Sequence, residues 1–249
     1  QGDLNAQLSA LRTGEQGVTA LLEKYGAAQL HDVLEAILDA TERRVRSEIA
    51  AMPNGAYSGR SELDHDGFNR DEPIRVAVAI TIDDESLHFD FTGSHPQVTG
   101  FVNSSLANTL SACYIAMFTI MDPDIPHNEG WFRAVSVHAP EGSIVNALEP
   151  APTTMCTVST AEAIIEACWR AFAEAIPERA PAAWGRSLGP VYSGYNPRTG
   201  RRFSDIAFLK KSGAGAVNGH DGWHHVGPSI ACGGLRAPSV EMHESIDPF

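Results

Sequence analysis

Between Asn103 and Met121 the sequence has no charged residue. It places Leu106, Leu110, Cys113, Tyr114, Met117 and Phe118 on one side of a helix, and Ala107, Ala112, Ile115 and Ala116 fill much of the other. A helix that is apolar on nearly every side has no face to offer water, so the chain must fold around it with a large core. Its ends are constrained too. Gly93, Pro96 and Gly100 break regular structure before it, one of Asn103, Ser104 and Ser105 supplies a capping oxygen, and Pro123 and Pro126 forbid its continuation. The helix therefore runs between two loops dense in polar groups, where functional side chains are expected.

The elements around it follow from periodicity. Leu4, Leu8, Leu11, Val18, Leu21 and Leu22 repeat at helical spacing up to Gly26, and Leu30, Val33, Leu34, Ile37, Leu38, Val45 and Ile49 do so from about Ala27 to Ala51. These two runs predict a helical hairpin over residues 1–53, packed on a sheet or on a partner subunit. Strands are expected over 57–63, over Ile74 to Ile82, where apolar residues alternate, and over 87–91, which returns the chain after Asp83-Asp84-Glu85. Further strands are expected over 131–137, 191–195 and 202–209. A helix is expected from Ser159 or Thr160 to Ile176, opened by a Ser159–Glu162 capping box. The predicted class is mixed α/β (α+β): antiparallel sheets covered by helices, with the hairpin in front of a body spanning 54–249.

Composition narrows the function. The chain has 249 residues, and its formal charge of −13 is spread along it without a basic stripe, which argues against a nucleic-acid partner. There is no run of eighteen or more apolar residues, so a membrane span is not expected. Cys113, Cys156, Cys168 and Cys232 show no C-x-x-C spacing; they read as reduced structural thiols of a cytoplasmic protein.

Two clusters carry candidate chemistry. Asp122, Asp124, His127 and Glu129 lie within eight residues and offer carboxylates and an imidazole for acid–base work or a hard cation, or simply a solvated loop. His220, Asp221, His224 and His225 follow a glycine-rich segment, and this donor set suits zinc or manganese, although no standard zinc spacing is present. The acidic stretch Asp64, Asp66, Asp71 and Glu72 lacks the alternation of a calcium loop and reads as a solvated turn. Ser187, Ser193 and Ser212 lie in no nucleophile motif.

Several separated motifs resemble the hydantoinase B/oxoprolinase family. They are the strand end Asp90 to Ser94, the turn Pro96 to Gly100, the D-P-D-I-P-x-N-x-G loop from Asp122 to Gly130, Ala139 to Ser143 with Asn146, and the closing Pro238 to Glu244. The resemblance implies a B-type subunit of a cytoplasmic, multi-subunit, ATP-dependent enzyme, with ATP and Mg held by a separate A-type subunit. It implies hydrolysis of cyclic amides (hydantoin, 5-oxoproline or lactam rings) through a phosphorylated carbonyl. The alternatives are an ATP-dependent ketone carboxylase using bicarbonate, for which the His-rich segment and Cys232-Gly233-Gly234 speak, and a scaffold that binds the A-type subunit. Family members also carry a His- and Asp-rich stretch upstream of the point where this sequence opens. Part of the active site is therefore expected on a missing segment or a separate chain.

Overall fold

The computed structural model describes residues 1–186, 191–206 and 212–231. The expectations placed on Ser187, on Cys232 to Gly234, on the closing motif from Pro238 and on residues 207–209 lie outside the described residues.

The order is α1 (Gly2–Tyr25), α2 (Ala27–Ala50), β1 (Gly55–Leu63), β2 (Ile74–Asp83), β3 (Ser86–Asp90), α3 (Leu106–Phe118), a 3-10 helix (Glu129–Ala134), β4 (Val135–His138) and α4 (Thr160–Ala175). Two short hairpins follow, β5 (Val191–Tyr195) with β6 (Arg202–Ile206) and β7 (Ser212–Ala214) with β8 (Trp223–Val226), and then a 3-10 turn (Ser229–Ala231). The body is the mixed helix-and-strand class that periodicity implied. Its main sheet has the order β1-β2-β3-β4. It is antiparallel from β1 to β3, but β4 runs parallel to β3, because the chain crosses back through α3.

Alternation sets which face is covered. Gly59, Ser61 and Leu63, the five residues Ile74, Val76, Val78, Ile80 and Ile82, and Leu87 and Phe89 point inward, whereas Arg75, Ala79 and Thr81 face out. Helix α4 lies across the inner face. A Cβ at Gly59 would overlap the Ala167 carbonyl, so only glycine lets the strand approach this closely. Phe172 of α4 meets Phe89 edge-on with ring centroids 6.1 Å apart.

The uncharged helix is less enclosed than its composition implies. Thr109, Ala112, Cys113, Ala116 and Met117 of α3 are buried, but Leu106 is 41% exposed. The deepest helix is α4, which lies between the sheet and α3 and buries residues on nearly every side, Glu162 included. Ser105, among the three capping candidates, accepts the Asn108 amide at 3.3 Å. The expected capping box at α4 does not form; Ser159 makes no side-chain cap, and Thr160 instead donates to the Val102 carbonyl. The strand expected from Trp131 begins only at Val135. Asn128 caps the Gly130 amide at 2.9 Å and the Trp131 indole donates to the Pro126 carbonyl at 2.9 Å, which winds residues 129–134 into a 3-10 turn.

Thr41, Val45 and Ile49 in the second half of α2 are buried against this 3-10 turn and β3. Helix α1 has no buried residue and makes few contacts with α2. Among the described residues, no helix is long and apolar enough to cross a membrane. Cys113 and Cys168 are buried free thiols on α3 and α4; burial, followed by the hydrogen bond that the Cys113 thiol donates to Cys168, pushes the Cys113 thiol far up.

Candidate functional site

The loops that flank α3 are held from inside. Asn103, fully buried, accepts the Val98 amide at 2.7 Å and donates to the carbonyls of Val98, Gly100 and Pro152 at 2.9 to 3.0 Å. Asp66 is not the solvated turn residue expected. It is buried and accepts the amides of Phe68, Asn69 and Gly100, and the Asn69 and Phe68 bonds lead in holding its carboxyl below the usual range. Asp90 accepts the Thr92 amide at 2.8 Å, and the Thr92 bonds lower its pKa in the same way.

The first predicted cluster is spread along an anchoring loop. Asp122 accepts the Asp124 amide and the Arg44 guanidinium, both at 2.8 Å, and these two partners, the amide first, hold its carboxyl low. Arg44 also donates to the Asp124 carbonyl at 2.9 Å, which ties the loop to α2. Asn128 reaches Thr41 of α2 at 2.9 Å. The exposed His127 ring stacks on Phe118 at 4.2 Å between centroids. The side chains of Asp124 and Glu129 are exposed. The loop thus clamps the end of α3 onto α2, with three of its four titratable groups turned toward solvent.

The second cluster sits on a small β-unit. The backbone of 182–185 pairs with 213–216, with Ala182 donating to Ala216 and Gly185 to Gly213 at 2.9 Å. A Cβ at Gly215 would overlap the Ala183 carbonyl, so the small residues here admit a neighbouring strand. This unit borders an open recess of about 730 Å³ whose lining includes Arg179, Trp184, Val217, His220, Asp221 and Trp223. Trp184 stacks on Trp169 at 5.5 Å and donates to the Gly227 carbonyl at 2.8 Å, so this wall is fixed. Arg179 is paired with Glu48 of α2 at 2.8 Å. A second recess of about 650 Å³ shares Trp184, Asp221 and Trp223 and adds His224. The His225 side chain lies outside the described set. Among the described residues, no three His, Cys, Asp or Glu side chains come together as a metal ion would require.

One polar centre escaped sequence reasoning. Glu166 of α4 receives the Ser61 hydroxyl at 3.1 Å, the Arg186 guanidinium at 2.6 Å and the Arg170 guanidinium at 2.5 Å. Burial raises its pKa, but the hydrogen bond and charge of Arg186, then Arg170 and Ser61, outweigh it and hold the carboxyl below its usual range. The only signal in the sequence was the Glu166–Arg170 spacing on the helix; Arg186 and Ser61 arrive from distant positions.

The first recess combines indole walls, a carboxylate, an imidazole and a guanidinium, a set that holds a small polar ring and can move a proton at it. The model of the family described as Hydantoinase B/oxoprolinase matches residues 1–249. The beta subunit of caprolactamase from Pseudomonas jessenii is 34% identical over 247 residues, covering 98% of this chain and 42% of that protein. The B subunit of a putative D-/L-hydantoinase, from a Pseudomonas strain, is 30% identical over 217 residues, 82% of this chain and 36% of that one. The crystal structure of the ATP-dependent caprolactamase from Pseudomonas jessenii superposes with a TM-score of 0.87, covering 99% of this chain and 43% of that one. The nucleotide-free structure of an acetone carboxylase gives 0.78 at 16% identity, over 92% of this chain and 32% of that one, a likeness of fold alone. The chain spans less than half the length of these relatives.

Proposed function

The chain belongs to the hydantoinase B/oxoprolinase family, and from that premise we propose that it is part of a B-type subunit of a cytoplasmic, multi-subunit enzyme that opens cyclic amides at the expense of ATP. The observation that carries this reading is the 34% identity and TM-score of 0.87 to caprolactamase along nearly the whole chain. The likeness to acetone carboxylase, at 16% identity, extends to the fold and gives the carboxylase alternative no equal support.

An amide carbonyl is a poor electrophile and its oxygen a poor leaving group. Transfer of the γ-phosphoryl of Mg-ATP, held by an A-type subunit, to the ring carbonyl oxygen cures both defects. Water then adds to that carbon and the C–N bond breaks as the nitrogen takes a proton, which leaves an acyl phosphate; a second water adds to the same carbon, and phosphate leaves with the former carbonyl oxygen. The net change is an opened amino acid or carbamoyl acid, ADP and phosphate.

This chain's own residues supply the surroundings. Trp184 and Trp223 line a recess, open to solvent, against which a flat ring can lie. His220 and Asp221 line the same recess; in this reading they take a proton from the attacking water and return one to the nitrogen. A zinc or manganese ion at His220, Asp221, His224 and His225 requires donors beyond those the described residues bring together. Asp124, His127 and Glu129 are exposed on the loop after α3, whereas Asp122 anchors that loop to Arg44.

The test uses the intact complex with a lactam, a hydantoin and 5-oxoproline, following ATP turnover and ring opening with and without bicarbonate. His220→Ala and Asp221→Asn should each lower kcat about a hundredfold or more with the assembly intact, the lower range of a positioned acid–base group. Turnover unchanged in both variants would instead make this region a scaffold. Product that forms only with bicarbonate would mean carboxylation.

A further inference from the structure

Among the described residues that line the recess below Trp184 and Trp223, Arg179 is the one arginine or lysine, and Asp221 contributes a carboxylate. The neighbouring recess shares Asp221, adds His224 and brings no arginine or lysine among its described residues. Arg179 is not an open cation. Its Nη1 donates at 2.8 Å to Oε2 of Glu48, which arrives from α2. The Arg179 side chain is 42% exposed and that of Glu48 25%. The carboxylate is thus the more enclosed partner, turned to a separate recess beside Asp122, and the guanidinium is the one that reaches the ring site.

The pair balances charge without using up the donors. A guanidinium carries five N–H groups, so Arg179 can answer Glu48 and still donate to an uncharged acceptor such as a ring carbonyl oxygen. A carboxylate on the ring meets a different setting, with one guanidinium set against the carboxylates of Glu48 and Asp221. To gain the fork-like contact that arginine makes with a carboxylate it must displace Glu48, and it approaches Asp221 as a like charge.

We infer that the Glu48–Arg179 pair makes this site selective for uncharged rings, lactams and hydantoins with neutral substituents, over rings that carry a carboxylate, such as 5-oxoproline. Arg179 is the group that meets the ring, and Glu48 acts through it. The inference rests on the proposed ring opening at this recess and narrows it to a substrate class.

Two substrates of similar size separate charge from shape: 5-oxoproline, an anion at neutral pH, and 5-oxoprolinamide, which is neutral. Ring-opened product is followed by mass spectrometry in the intact complex with Mg-ATP. In the unsubstituted complex kcat/KM for the amide should exceed that for 5-oxoproline about tenfold or more, the order of one charge-assisted hydrogen bond. Glu48→Gln keeps the shape of the side chain and removes its charge. It should raise the 5-oxoproline-to-amide ratio of kcat/KM about tenfold, chiefly through KM for 5-oxoproline, while activity on the amide stays within about twofold. Adding R179Q to E48Q should abolish that gain.

A preference for 5-oxoproline in the unsubstituted complex overturns the inference, and needs no variant to be seen. So does a ratio that Glu48→Gln leaves unchanged, or a gain that survives R179Q, in a complex that still opens the amide ring; each of these leaves the ring-opening reading in place. A complex that opens neither ring overturns that reading and the inference with it.

Discussion

Glu166 makes one carboxylate serve three donors on different elements: Ser61 from β1, Arg170 one turn along α4, and Arg186 beyond the helix. Its side chain is 13% exposed, so removing the charge strands hydrogen-bond donors in a partly dry setting. Glu166→Gln should cost about 1–3 kcal/mol at neutral pH. The sign of the pH dependence follows from the depressed folded pKa. The contribution is fully present above the unfolded carboxylate value of about 4.3 and disappears as pH falls through the folded one. Melting curves of both proteins should therefore lie apart at neutral pH and converge on acidification; a gap of constant size would remove the ionised carboxylate from the account. Such a centre is hard to read in advance. Helical spacing joins Glu166 to Arg170, but only the completed fold brings Ser61 and Arg186 to the same oxygen. Asp66 teaches the same lesson: its turn was legible, and its reach to the Gly100 amide was not.

At the scale of elements, local pattern and position in the stack separate cleanly. Strict alternation located β2 to within a residue, and prolines located the end of α3. Burial depends on what lies above a helix, which composition does not encode. The alanines of α4 let it sit flat on β1, and so it became the central helix in place of the more apolar α3. The join at Gly59 is the sharpest consequence. Gly59→Ala drives a methyl group into the Ala167 carbonyl and must lift α4 from the strand, costing on the order of 3 kcal/mol. Chemical denaturation checks this, and a loss within a few tenths of a kcal/mol would mean that the sheet yields there at little cost. The glycine-rich segment near His220 carried a parallel ambiguity, between room for a ligand and room for backbone. Gly215 resolves to backbone, packed on Ala183, while the recess is lined by the side chains around it.

For the whole molecule, the apolar side chains of α1 are uncovered within the chain, and the chain spans less than half the length of its relatives. The family was legible from separated motifs in order; of the residues named as metal donors, His220 and Asp221 line the candidate recess and His224 a neighbouring one, and the wall formed by Trp184 was not legible, because no local pattern links it to Trp169. The central claim is that the ring carbonyl oxygen is phosphorylated and then lost as phosphate during hydrolysis. The most direct test supplies the intact complex with a lactam labelled with oxygen-18 at its carbonyl, in unlabelled water without bicarbonate, and follows the label by mass spectrometry. The account predicts ring opening with one labelled oxygen in each phosphate released. Phosphate without label, or no product until bicarbonate is added, would contradict it.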